Sequence, residues 1–151
     1  SSFLKETGTP VMVTTPDFNN ILGDKLTAFA PTTTGIPYIK KDKEMGMEII
    51  KQMYDVGCLF DEIDDISMVK DVFKAFAAIE LEYRGNTHTI SDVLDDTFYT
   101  ALAVCFRKNI QNTNFTVLNN GLFQSRLIYS LIPFTWIKLL HTPLKLLIWL
   151  Y

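Results

Sequence analysis

Apolar residues recur along this chain at helical spacing in several stretches, with one short β-like run ahead of them. Pro10-Val11-Met12-Val13-Thr14-Thr15 is β-branched and bounded by Pro10 and Pro16, which predicts a short strand. A helix is expected from Pro16-Asp17 to about Ala30, with Asp17 or Asn19 as its cap and Pro31 as its stop. Residues 31–42, rich in Thr, Gly and Pro, read as a loop. A second helix covers roughly Lys43 to Phe60, where Met47, Ile50, Met53, Tyr54, Gly57 and Cys58 keep the helical period. A third runs from about Asp65 to Tyr83, with Ile66, Val69, Val72, Phe73, Phe76 and Ile79 expected inward and Gly85-Asn86 as a break. Ser91 suits the N-cap of a fourth helix and Asp92 its first turn, ahead of the stripe Val93, Leu94, Phe98, Ala101, Leu102 and Cys105. After the polar, turn-like residues Asn109–Asn114, a last helix opens near Phe115.

One strand followed by a helical bundle is an odd pairing. A lone strand cannot satisfy its own ladder hydrogen bonds. The expectation is therefore that its partner strands precede Ser1, and a chain opening on Ser rather than Met reads either as a piece of a longer protein or as a processed or tagged start.

Length and composition narrow the classes. At 151 residues the chain suits one domain with a real core, and 48% apolar against 21% charged residues is globular rather than disordered. A net charge of -3 gives no global case for nucleic-acid binding, so any nucleotide or RNA contact must come from local lysines and arginines. Cys58 and Cys105 lie within apolar helical patterns and read as buried free thiols of a reducing cytoplasm. No basic n-region or cleavage site opens the chain, so no signal peptide is expected.

The charge is unevenly spread. All 17 acidic residues lie in 1–126, whereas 127–151 carries Lys138, His141 and Lys145 in an otherwise almost wholly apolar or aromatic run. A membrane span needs about 20 apolar residues. Lys138, His141, Pro143 and Lys145 interrupt this one, and central lysines cost about 2.5–3.5 kcal/mol each on insertion. No membrane association is expected. Back-translation suggests another origin. Shifting the frame by two bases within the codons for Leu144 to Leu150, and again across Pro133 to Lys138, permits an ordinary amphipathic helix. A frameshift near Arg126–Leu127 would account for the missing acids and for Trp136 and Trp149 together. It predicts that 127–151 has no native partner surface and is disordered or exposes an aggregation-prone patch.

Several residues carry candidate chemistry. Lys25 sits among Ile21, Leu22, Leu26, Ala28 and Phe29, either as a snorkelling surface lysine or as a point charge for phosphate. Lys51 and Asp55 are i, i+4 on the second helix and share a face with Glu48. They read either as an exposed ion pair or as a phosphate-contacting lysine and an aspartate that orients a lysine, a hydroxyl or a metal. Lys ahead of Asp is the weaker order for surface pairing, which counts slightly against the first reading. Thr32, Thr33, Thr34 and Gly35 form either a polar turn or a loop that wraps a ligand. The acidic run Asp61, Glu62, Asp64, Asp65 lacks the spacing of a calcium loop and reads as a solvated helix junction. His88 and His141 have no zinc-ligand spacing, so no metal site is assigned.

Taken together, residues 19–60 resemble the AbiEii/AbiGii nucleotidyltransferase toxin family. The resemblance rests on the phrase around Lys25, on Thr33-Thr34-Gly35-Ile36-Pro37-Tyr38, and on Ile50-Lys51-Gln52 followed by Asp55. Weaker similarity continues through Tyr83-Arg84 to about Arg107. It implies a mostly α chain, the helical C-terminal part of an α+β nucleotidyltransferase fold with one residual strand near the N-terminus. Residues 1–16 would hold the residual strand, 17–126 the helical toxin region, and 127–151 the apolar tail. The implied parent activity is metal-dependent transfer of a nucleotide from an NTP to an RNA or protein acceptor. It would serve a cytoplasmic bacterial toxin-antitoxin or abortive-infection system with a cognate antitoxin as partner. Mg2+ and NTP would be the parent's cofactors, and none is expected for this chain alone. Lys25, Lys51 and Asp55 match the family's later catalytic motifs, and Thr33 and Thr34 are weaker candidates for substrate contact. Gln52 departs from the pattern, because many relatives carry an acid there. The larger departure is that these residues contain no Gly-Ser followed by Asp-x-Asp, the motifs that hold the metal, so the chain alone is expected to be inactive. Two rival readings are a non-catalytic helical module that binds a partner protein and a small membrane-associated protein using 127–151.

Overall fold

The structure, a computed structural model, describes residue 9 and residues 11–106 and 113–129. Five helices and a two-stranded hairpin follow one another: α1 (Phe18–Ala28), β1 (Ile39–Lys40), β2 (Lys43–Glu44), α2 (Gly46–Leu59), α3 (Ile66–Tyr83), α4 (Ile90–Phe106) and α5 (Thr113–Tyr129). The chain is thus mostly helical, as its periodicity predicts.

The helix ends follow local chemistry. Asp17 caps α1, its carboxylate accepting from the Asn20 amide at 2.9 Å. Asn19 does something else: buried, it donates to Asp64 Oδ1 at 2.8 Å and accepts from the Asp64 and Asp65 amides, tying α1 to the acidic junction. Asp65 caps α3 through the Ser67 and Met68 amides. At the far end of α3 the Asn86 amide reaches the Leu81 carbonyl and the Gly85 amide the Glu82 carbonyl. This closure needs a left-handed residue, and Gly85 supplies it at φ +83°. Ser91 does not cap α4; Thr89 does, in a reciprocal arrangement with Asp92 that satisfies the amides of both.

α1 packs on α3 and α2, α2 packs on α5, and α4 borders α3, α5 and α1. Leu22, Leu26 and Phe29 meet Ile49, Ile50, Met53 and Val56 from α2 and Val69 and Phe73 from α3 in the core. Two helix pairs approach so closely that only glycine fits. A Cβ on Gly23 would lie 2.6 Å from Val72 Cγ1, and one on Gly46 or Gly121 would enter the backbone of the facing helix. α5 thus sits directly on the first turn of α2.

The structure corrects four local expectations. Residues 11–17 form no strand, and Val11, Met12 and Val13 are 83%, 93% and 73% exposed. No partner among the described residues offers that segment a ladder, and β-branched sequence alone does not make one. The only sheet among the described residues is the hairpin, Ile39 opposite Glu44 and Lys40 opposite Lys43. Lys41 and Asp42 both turn at positive φ, as a two-residue hairpin loop of matching twist requires. This turn delays α2 from Lys43 to Gly46. On α3, Ile66, Phe76 and Ile79 face solvent at 40%, 40% and 58% exposure, while the buried line is Val69, Phe73, Ala77, Leu81, an uninterrupted i, i+4 row. On α4, Asp96, Thr97 and Thr100 are buried beside Val93 and Ala101, so its inner face is part polar.

Cys58 and Cys105 are separate thiols, half-buried rather than buried. Among the described residues no helix is long and apolar enough to cross a membrane. Of the apolar tail at 127–151, residues 127–129 end α5, and 130–151, with His141, lie outside the described residues.

Candidate functional site

The lysine of α1 and the aspartate of α2, far apart in sequence, come together. Lys25 Nζ lies 3.1 Å from Asp55 Oδ2 and 3.1 Å from Gln52 Oε1, and donates to both. Helical periodicity explains why one ammonium can reach the two side chains, which stand i, i+3 on α2. The lysine is also in the last turn of α1, where the helix dipole favours a cation. Lys25 is one-third exposed and Asp55 44% exposed, so the pair opens to solvent. Lys51 shares this face of α2, and among the described residues it has no ion pair. The i, i+4 ion pair of Lys51 with Asp55, one of the two readings open from the sequence, is absent among the described residues, and Asp55 pairs with Lys25 instead. One turn earlier, Glu48 is engaged by Lys43 at 3.6 Å.

The threonine loop is held from two sides. Its N–H groups point at α4: the amides of Thr32 and Thr33 and the Thr33 hydroxyl donate to Asp96 Oδ2 at 2.8, 2.9 and 2.9 Å. Its carbonyls point at α3, where Arg84 Nη2 donates to the Thr34 and Gly35 oxygens while Arg84 Nε lies 3.9 Å from Glu80. Thr34 Oγ1 donates to the Thr27 carbonyl at 2.8 Å, which seats the loop on the end of α1. Gly35 is required there because a Cβ would run into the Ala28 carbonyl. Thr33 and Thr34 are buried and their hydroxyls are committed inside the protein. Asp96 continues outward to Thr100 and Tyr38, whose hydroxyls lie 3.4 Å apart. Burial pushes the Tyr38 phenol above its usual value, helped by the Asp96 charge and opposed by the Thr100 hydrogen bond.

Two clefts flank this loop. One of about 450 Å³ lies between the loop, α4 and the start of α5, with Tyr38, Asp92, Asp95, Tyr99 and Phe115 in its wall and no lysine or arginine among the described residues. His88 also lines it, exposed. The other, about 400 Å³, lies between the loop, the hairpin and the end of α3, with Asp24, Lys40, Glu80 and Arg84. Lys25, Lys51 and Asp55 line neither of these two clefts. Among the described residues no group of three or more His, Cys, Asp or Glu side chains could hold a metal ion.

Sequence reasoning passed over Asp96 and Arg84. Asp96 follows Asp92 and Asp95 and looks like one more charge on a solvated helix, and only the loop's amides reveal its role. Arg84 sits at a helix end beside a turn, where exposed arginines are common. Comparison of the chain with protein-family models, with curated proteins and with solved structures found no match.

Proposed function

We propose that this chain is the helical portion of a nucleotidyltransferase toxin of a bacterial toxin-antitoxin or abortive-infection system. Its parent activity is metal-dependent transfer of a nucleotide from an NTP to an RNA or protein acceptor in the cytoplasm. The observation that carries the reading is the convergence of Lys25 with Gln52 and Asp55 from helices about thirty residues apart. Lys25 and Lys51 contact phosphate, where an ammonium offsets the charge that develops during transfer. Asp55 orients Lys25, one of the roles open to it from sequence. Thr33 and Thr34 support the site as part of a braced loop between the helices.

Nucleotidyl transfer needs metal-holding carboxylates, and the Gly-Ser and Asp-x-Asp motifs that supply them are absent from these 151 residues. The chain by itself therefore binds a triphosphate weakly and transfers nothing. The test is incubation of the purified chain with radiolabelled NTPs, magnesium and total RNA or protein. No label transfer is expected above a buffer blank, together with measurable, Lys25-dependent triphosphate binding. Transfer by this chain, or triphosphate binding indifferent to Lys25→Met, would refute the reading.

A further inference from the structure

Lys25 has two close acceptors on α2, and only one of them is charged. The Gln52 amide oxygen and the Asp55 carboxylate both lie 3.1 Å from the ammonium. Asp55 offsets one positive charge. The neighbouring Lys43–Glu48 pair is neutral as a unit. Asp24, next to Lys25 in the chain, lines the cleft beside the hairpin and the end of α3, a cleft that Lys25 itself does not line. Among the described residues, what remains on this face is one uncompensated charge from Lys25 and Lys51 together. A glutamate at position 52 would cancel it.

Resting on the phosphate reading above, we infer that Gln52 is a positioning and charge-setting residue. Its amide fixes the Lys25 ammonium beside Asp55 without neutralising it, so the Lys25–Lys51 face stays positive and takes a polyphosphate chain. A carboxylate would hold the lysine equally well, but would compete with phosphate for it. An apolar side chain would keep the charge and lose the placement.

The test is calorimetric titration of the full chain with inorganic tripolyphosphate at two salt concentrations. It is run on the wild type, Gln52→Glu, Gln52→Met and Lys25→Met, with helicity checked by circular dichroism and the Lys25 side-chain carbon signals followed by NMR. Gln52→Glu should weaken binding about tenfold and flatten its salt dependence, since one charge has been removed from the balance. Gln52→Met should weaken binding about threefold with the salt dependence unchanged, and should shift the Lys25 signals. Binding by Gln52→Glu equal to the wild type, while Lys25→Met loses it, overturns the role of Gln52 and leaves the phosphate reading standing. So do unmoved Lys25 signals in Gln52→Met. Absence of binding by the wild type overturns both.

Discussion

Asp96 receives two hydrogen bonds from Thr33 alone, one from its amide and one from its hydroxyl, each 2.9 Å long. A carboxylate on α4 thereby does for the loop at 32–34 what a bound anion does for backbone amides elsewhere. Asp96 is only 9% exposed and Thr33 8%, so the donors have no water to fall back on. Asp96→Ala should cost about 3 kcal/mol, because buried N–H and O–H groups are left unmet. Asp96→Asn, which keeps an acceptor oxygen, should cost about 1 kcal/mol. Denaturant unfolding of the two variants against the wild type measures the difference. Equal stability of all three would show that the loop is not held this way.

Gly121 and Gly46 make a backbone-to-backbone contact between α5 and α2. Gly121→Ala should destabilise by about 1–3 kcal/mol, since helix backbone must shift to admit the methyl. Gly85→Ala is the control of another kind. It has open space around it but a φ of +83°, and should cost about 1 kcal/mol through backbone strain alone. The discriminating measurement is NMR: Gly121→Ala should move resonances across α2, and Gly85→Ala should not.

The Lys25–Asp55 pair is partly open to water, which limits its worth to the fold. A double-mutant cycle of Lys25→Met and Asp55→Asn should give a coupling of about 0.2–1 kcal/mol, falling as salt rises. Both single variants should fold. A loss of triphosphate binding in either then reports on the site rather than on stability. A coupling above about 2 kcal/mol would mean that the pair is shielded.

Acid should loosen two helix starts first. The Asn20 amide holds the Asp17 carboxyl below its usual 3.8, and the Thr89 amide and hydroxyl do the same for Asp92. A carboxyl whose folded value is depressed adds stability above its unfolded value, and that stability is lost as pH falls through the lower folded value. Protection of the Asn20 and Thr89 amides, taken relative to the intrinsic exchange rate at each pH, should therefore be full above pH about 4 and fall below it. Asp17→Asn and Asp92→Asn should remove that step. Protection of these two amides that is indifferent to pH in the wild type would count against the caps.

The alternation of apolar and polar positions by itself determined that the chain is mostly helical, where most helices begin and end, and that Asp17 caps the first of them. Those are local matters, fixed by the spacing of side chains along one helix and by amides that need an acceptor within three residues. Lys25, Lys51 and Asp55 came forward as candidates through their resemblance to a family phrase, not through that alternation. Tertiary structure alone decided who meets whom. The 11–15 run had every local mark of a strand but lacked a neighbour, and a strand exists only as a pair. The exposed Ile79 and the buried Asp96 exchanged the places their polarity suggests. α3 turns to α1 the row of side chains that fits against Gly23, and α4 turns its carboxylate to a loop full of unmet amides. Asp55 pairs with Lys25 rather than with Lys51 because the crossing of α1 over α2 delivers an ammonium to it from outside its own helix, and no periodicity within α2 contains that fact.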